Sequence, residues 1–218
     1  MTEKKIPTVE QLNDFRHQVR TAVSAADCDK LNAFMEEYDI YTKVYEENGK
    51  VGVKDAAGQV LVPAGYEEVG YTFMDHSKPL AVPVLKDGKF ALVAQDGKET
   101  MLSDFEFDEI HYTPECCYIL VKDGRKGLAM SDGTVVIPAQ MDQVYTPFNG
   151  LASYEKDGKS GFSMIHEGIT TEAVYDDCEI ECDAYLEVVK DGVKGFIDSN
   201  GEFTTDEDEA HFGSFCDY

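Results

Sequence analysis

The sequence predicts a mainly β repeat protein: an array of about five three-stranded antiparallel β repeats behind an N-terminal α-helical hairpin. Three observations carry this expectation. An Asn-Gly or Asp-Gly turn recurs at Asn48-Gly49, Asp87-Gly88, Asp123-Gly124, Asp157-Gly158 and Asp191-Gly192, with the glycines 39, 36, 34 and 34 residues apart. A second glycine follows each turn, at Gly58, Gly97, Gly133, Gly168 and Gly201, nine residues on in four units and ten in the fourth. Between these turns the apolar residues alternate with period two, whereas before residue 41 they recur every three or four.

The turns come first in the argument. Asp-Gly between two alternating runs is a hairpin signal because both central residues of a type I′ turn need positive φ. One such turn is ordinary, but five in register define a repeat. The fourth unit shows the expected layout: GLASYEK as a strand, a turn at Asp157-Gly158, KSGFSMI returning antiparallel, a turn at HEG, then ITTEAV as a third strand. A small residue recurs in the second strand, at Gly52, Ala91, Gly127, Gly161 and Gly195. Glycine inside a strand marks close approach of another backbone or an aromatic ring. Pro63 and Pro138 are expected to end the third strand in their units, since proline cannot donate to the ladder.

Residues 1–40 read as the helical hairpin. Val9, Leu12, Phe15, Val19, Val23 and Ala26 form an amphipathic stripe, and Thr8 with Gln11 has the form of a capping box. Leu31, Phe34 and Met35 suggest a second, short helix. Residues 41–205 are the β-repeat domain, and residues 206–218 read as an acidic C-terminal tail. Each unit is too small to bury its own apolar face, so neighbours must stack. That admits an open, twisted, solenoid-like stack or a closed, five-bladed propeller-like ring.

Charge narrows the function. The chain has 43 acidic against 19 basic residues, a formal net charge of −24. Nucleic acid and anionic membranes both require neutralising Lys and Arg, so neither is expected as a direct partner. A basic protein partner is compatible with it. MTEKKIPTVEQL lacks the apolar core of a signal peptide, and no apolar run approaches a membrane span, so a cytoplasmic location is expected.

Motifs for chemistry are scarce. Cys178 and Cys182 alternate with acids in DDCEIECD, which as a strand places the thiols about 13 Å apart, too far to share a zinc ion. His17, His76, His111, His166 and His211 fall at unrelated places in the units. There is neither a Gly-x-Ser-x-Gly elbow nor a phosphate loop. No enzymatic activity, metal or cofactor is expected. The distribution of charge within each unit is the informative feature. Lysines flank the first turn, and acids crowd the other end, at Glu67, Glu68, Asp108, Glu109, Asp142, Asp177, Glu179, Glu181 and Asp183. Registered repeats are expected to turn this into a Lys-dotted ridge along one edge and an acidic face elsewhere. That face serves either as a solvated surface that keeps sheet edges from pairing or as a docking surface.

FNGLASYEKDGKSGF (148–162), VKDGVKGFIDSNGEF (189–203) and RKGLAMSDGTVVIPAQMDQV (125–144) resemble WG repeats in their turn–Gly–turn–Pro order. The resemblance covers about residues 41–205 and implies a bacterial, non-enzymatic protein-interaction or scaffold module. A narrower possibility is an acidic inhibitor or immunity-type protein that neutralises a basic, nucleic-acid-binding partner, and a third is a small-ligand binder or enzyme with a site between repeats. The departure is that this chain has no Trp. Val51, Phe90, Lys126, Ser160 and Lys194 hold the tryptophan position, so an aromatic platform there does not carry over.

Overall fold

The computed structural model of the protein describes residues 22–37, 42–70, 81–113, 117–181 and 185–213. All five Asn/Asp-Gly pairs form the expected turns. φ is between 51° and 54° at Asn48, Asp87, Asp123, Asp157 and Asp191, and between 74° and 78° at the following glycines. The described residues fold into five antiparallel sheets of three or four strands.

The described residues form two compact units, the first running to Ile110 and including Ser131–Gly133, the second holding His111–Met130 and Thr134 onward. In the first, β1 (Ala22–Ser24) leads through a 3-10 turn into α1 (Cys28–Glu37), then β2 (Thr42–Glu47), β3 (Lys50–Asp55), β4 (Val60–Tyr66), β5 (Glu68–Gly70), β6 (Ala81–Lys86) and β7 (Lys89–Ala94). Two sheets result, in the orders β2-β3-β4 and β1-β5-β6-β7. Val44, Val51, Val53, Val62 and Tyr66 of one sheet share a buried core with Val69, Val82, Val84, Ala91 and Val93 of the other, and Leu31 of α1 joins them. The short helix expected around Leu31 and Phe34 is α1. Val23, expected at the end of a preceding helix, instead lies in β1 opposite Val69. Its neighbours Ala25–Asp27 are 3-10, so Val23 and Ala26 do not share one helix before α1 begins. The remainder of that first helix, residues 8–21, lies outside the described residues.

β8 (Glu109–Tyr112), β9 (Cys117–Lys122), β10 (Arg125–Met130) and β11 (Val135–Met141) make a sheet in the order β11-β10-β9-β8. In the second unit follow β12 (Gln143–Val144), β13 (Leu151–Lys156), β14 (Lys159–Met164) and β15 (Ile169–Thr170), then β16 (Asp177–Ile180), β17 (Leu186–Lys190), β18 (Val193–Ile197) and β19 (Phe203–Thr204). Each of these two sets of four pairs in sequence order. Their inner faces meet in a core that includes Leu151, Phe162, Met164, Tyr175, Leu186, Val188 and Ile197.

The first strand of a sheet follows the third strand of the repeat before it after a single intervening residue, as at Tyr66-Glu67-Glu68 and Met141-Asp142-Gln143. The two prolines do not stop pairing. Pro63 and Pro138 lie inside β4 and β11, where the ladder resumes beyond them at Val51↔Tyr66 and Lys126↔Met141. They sit in bulges, where no ladder donor is demanded of them. The bulges explain the small residues opposite. A Cβ on Gly52 would lie 2.5 Å from the Val62 carbonyl oxygen, and one on Gly127 2.6 Å from the Ala139 nitrogen. In the fourth repeat a ring takes this role: Tyr154 lies over Gly161, its direct cross-strand neighbour.

Residues 206–213, expected to begin an acidic tail, are built into the last sheet. Asp206 caps the 3-10 turn Glu207–Glu209 by accepting from the Asp208 N–H, and Ala210 and Phe212 bridge to Asp198 and Tyr185.

Candidate acidic interaction site

The single residue between successive sheets is acidic in four repeats: Glu67, Asp108, Asp142 and Asp176. The preceding residue pairs across the sheet with the position that WG repeats give to tryptophan, as Val51↔Tyr66, Phe90↔Phe107, Lys126↔Met141 and Ser160↔Tyr175. One step further along the same register, the turn cation meets the acid. Lys50 pairs with Glu67 at 3.4 Å, Lys89 with Asp108 at 2.5 Å and Lys159 with Asp176 at 2.5 Å, and Arg125 pairs with Asp142.

The same carboxylates reach the next repeat. Glu67 accepts from the Asp87 N–H at 3.4 Å, Asp142 from the Asp157 N–H at 2.7 Å, and Asp176 from the Gly192 N–H at 2.8 Å. Each therefore clasps its own repeat's cation to the following repeat's turn. Hydrogen bonds from Lys159 and then from the Gly192 backbone hold the Asp176 carboxyl below the usual carboxylate range. This corrects the expected segregation of charge: lysine ridge and acidic face meet as cross-strand pairs. In the last repeat Val193 stands where the cation would be, and Lys194 beside it pairs with Glu187 instead.

Of the acids expected on a docking face, Glu67 and Asp142 are thus engaged in holding repeats, and Asp108 is paired with Lys89. Glu68 lies in β5 opposite Ser24 on one side and Leu85 on the other, and Glu109 is exposed at the start of β8. Asp183 lies outside the described residues. Asp177 and Glu179 are brought together along one strand, and Glu181 follows just beyond its end. β16 alternates as expected, with Cys178 buried and Asp177 and Glu179 exposed. Among the described residues neither Asp177 nor Glu179 has an ionic partner; Asp177 accepts only from the Cys178 N–H. Glu179 lies directly opposite Glu187, which is itself paired with Lys194 at 2.7 Å. Like charges opposite one another cost stability.

Asp177 and Glu179 line a groove of about 500 Å³ together with Cys178, Ile180, Tyr145, Thr146, Phe148, Ser153 and Glu155. The lining holds three carboxylates and no cation. Tyr145 donates its hydroxyl to the Glu155 carboxylate, a bond that raises the phenol's pKa. The Tyr145 and Phe148 side chains are 43% and 45% exposed, high for aromatic rings. Burial, with Asp177 adding to it, pushes the Cys178 thiol up to about 12, so it remains protonated and a poor nucleophile or metal ligand. Among the described residues no three His, Cys, Asp or Glu side chains converge on a point suited to a metal ion.

Sequence reasoning did not single out Tyr145, Phe148 or Glu155. The signal available was an Asn-Gly pair just ahead of the Asp157-Gly158 turn of the fourth repeat. Asn149-Gly150, with φ of 47° and 79°, turns the chain tightly between Phe148 and Leu151 and so presents the Phe148 ring at the groove.

The comparisons bear on the architecture. The family model for the WG containing repeat matches residues 131–159, the segment from the end of β10 through the turn at Gly158. The match places a WG-type repeat in this one segment. No curated protein matches the chain. A solved structure that resembles it is PorZ, an essential bacterial surface component of the type-IX secretion system of Porphyromonas gingivalis. The likeness covers 75% of this chain and 25% of that one, at 9% identity and a TM-score of 0.26. The chain therefore spans about a quarter of that protein's length, and a likeness at this score carries no argument about role.

Proposed function

We propose that the chain is a non-enzymatic interaction module that docks a basic protein through the acid-bearing edge of β16. One observation supports this above the others. Acids that serve the fold are clasped between a cation and a backbone N–H, whereas Asp177 and Glu179 are left unpaired beside two exposed aromatic rings. Aromatic side chains are enriched at interaction surfaces, and unpaired charge of one sign speeds encounter with a partner of the other.

The test is affinity capture from the native organism's lysate with the wild-type chain and with D177K/E179K. A basic protein should be held at low ionic strength, released by about 0.5 M salt as screening shortens to a few ångströms, and lost from the charge-reversed variant. Equal capture by both chains would remove this surface from the function.

A further inference from the structure

We infer that the groove between β13 and β16 is a receptor for one arginine side chain of a partner peptide. This rests on the interaction reading and names its ligand. Charge complementarity commits the groove to a cation, since Glu155, Asp177 and Glu179 line it without a Lys or Arg among them. The nearby Lys190 does not fill it; its ammonium lies over the rings of Tyr175 and Phe203, 5.8 and 5.9 Å from their centroids.

The shape of the charge selects arginine. Asp177 and Glu179 are two residues apart on one face of a strand, about 7 Å along it, so one planar guanidinium can donate to both from opposite edges. Glu155 is oriented by the Tyr145 hydroxyl, which fixes a third acceptor. Tyr145 and Phe148 supply flat faces on which a guanidinium stacks, an arrangement that a compact ammonium uses less well. A dehydrated divalent cation would require converging carboxylates, which are absent among the described residues.

The experiment is an NMR titration of the full-length ¹⁵N-labelled chain with the peptide acetyl-Gly-Gly-Arg-Gly-Gly-amide. Its counterpart with citrulline, the neutral isostere of arginine, is the control. The arginine peptide should give saturable shifts confined to residues 145–148, 153–155 and 177–180. Citrulline should bind at least about tenfold more weakly, as expected when charge-assisted hydrogen bonds are lost. Phe148→Ala should weaken the arginine peptide about threefold to fivefold, the size of an exposed cation–π contact, with the remaining spectrum unchanged. Equal binding of the two peptides, or no saturable shift at millimolar arginine peptide, overturns the inference. So does displacement of the peptide by 1 mM CaCl₂ at constant ionic strength, which would mark a metal site (about 1 mM being the weak end of calcium sites).

The two proposals fail separately. If the peptide does not bind but D177K/E179K still loses its basic partner, the arginine inference falls and the docking reading stands. If the peptide binds the groove and the charge-reversed chain captures the same partner as the wild type, the docking reading falls and the arginine site stands.

Discussion

The side-chain amide of Asn32 pairs with the backbone of Val44 in both directions: Nδ2 donates to the Val44 carbonyl at 2.7 Å, and Oδ1 accepts from the Val44 N–H at 3.1 Å. A strand residue makes this pair of contacts with its neighbour. Ser153 holds the equivalent place in the fourth repeat, five residues before the turn glycine, and its carbonyl accepts from the Tyr145 N–H at 3.0 Å. Among the described residues the β2-β3-β4 sheet has three strands, and Asn32 makes on the β2 edge the backbone contacts that a fourth would make.

Asn32→Ala should therefore destabilise the first unit by about 2 kcal/mol, because it leaves a donor and an acceptor of the buried Val44 without partners. Urea denaturation measures the loss. Hydrogen exchange locates it: the Val44 amide should lose protection beyond the global change, while amides of β17 and β18 should not.

A second expectation concerns the bulges. Gly127→Ala places a methyl group against the backbone of Ile137 and Ala139, which cannot withdraw as a flexible side chain would. The cost should be about 2–3 kcal/mol, in the range of an overpacked core. Gly124→Ala, in the exposed turn before it, meets no neighbouring atom and loses only its backbone conformation at φ +74°, so about 1 kcal/mol is expected. Thermal or urea unfolding of the two variants would reverse this reading if Gly124→Ala proved the more damaging.

A third follows from the clasps. The Asp176 carboxyl titrates lower in the folded chain than in the unfolded one. The unfolded state thus binds more protons in the window between the two values, and stability rises with pH there. Its contribution is present above the ordinary aspartate value of about 3.9 and is lost as pH falls through the lower folded value. Asp176→Asn should flatten the acid limb of the stability–pH curve, measured by urea unfolding from pH 5 downward.

Much of this architecture was legible in the residues. Asn/Asp-Gly pairs name their own turn because few other dipeptides tolerate two successive positive φ values, and Gly52 and Gly127 announce a close approach before the approaching chain is known. The clasp was hidden for a different reason. Lys50 and Glu67 stand 17 residues apart, and only the cross-strand register Val51↔Tyr66 makes them neighbours; the bulge at Pro63 shifts that register by two residues. Read as a strand terminator, the proline gave no hint of that register. The helical stripe misled at Val23 because three residues fit a strand or a helix equally well until a partner such as Val69 is supplied. Of the groove, β16 was visible in its alternation, but the exposure of Tyr145 and Phe148 depends on how β13 and β16 face one another, which no single stretch encodes.

In each clasp the neighbouring repeat contributes a main-chain N–H, a group that every residue except proline possesses. Joining one repeat to the next accordingly needs no matched side chain on the receiving side. Repeats so joined can be duplicated, deleted or exchanged in whole steps without rewriting their neighbours.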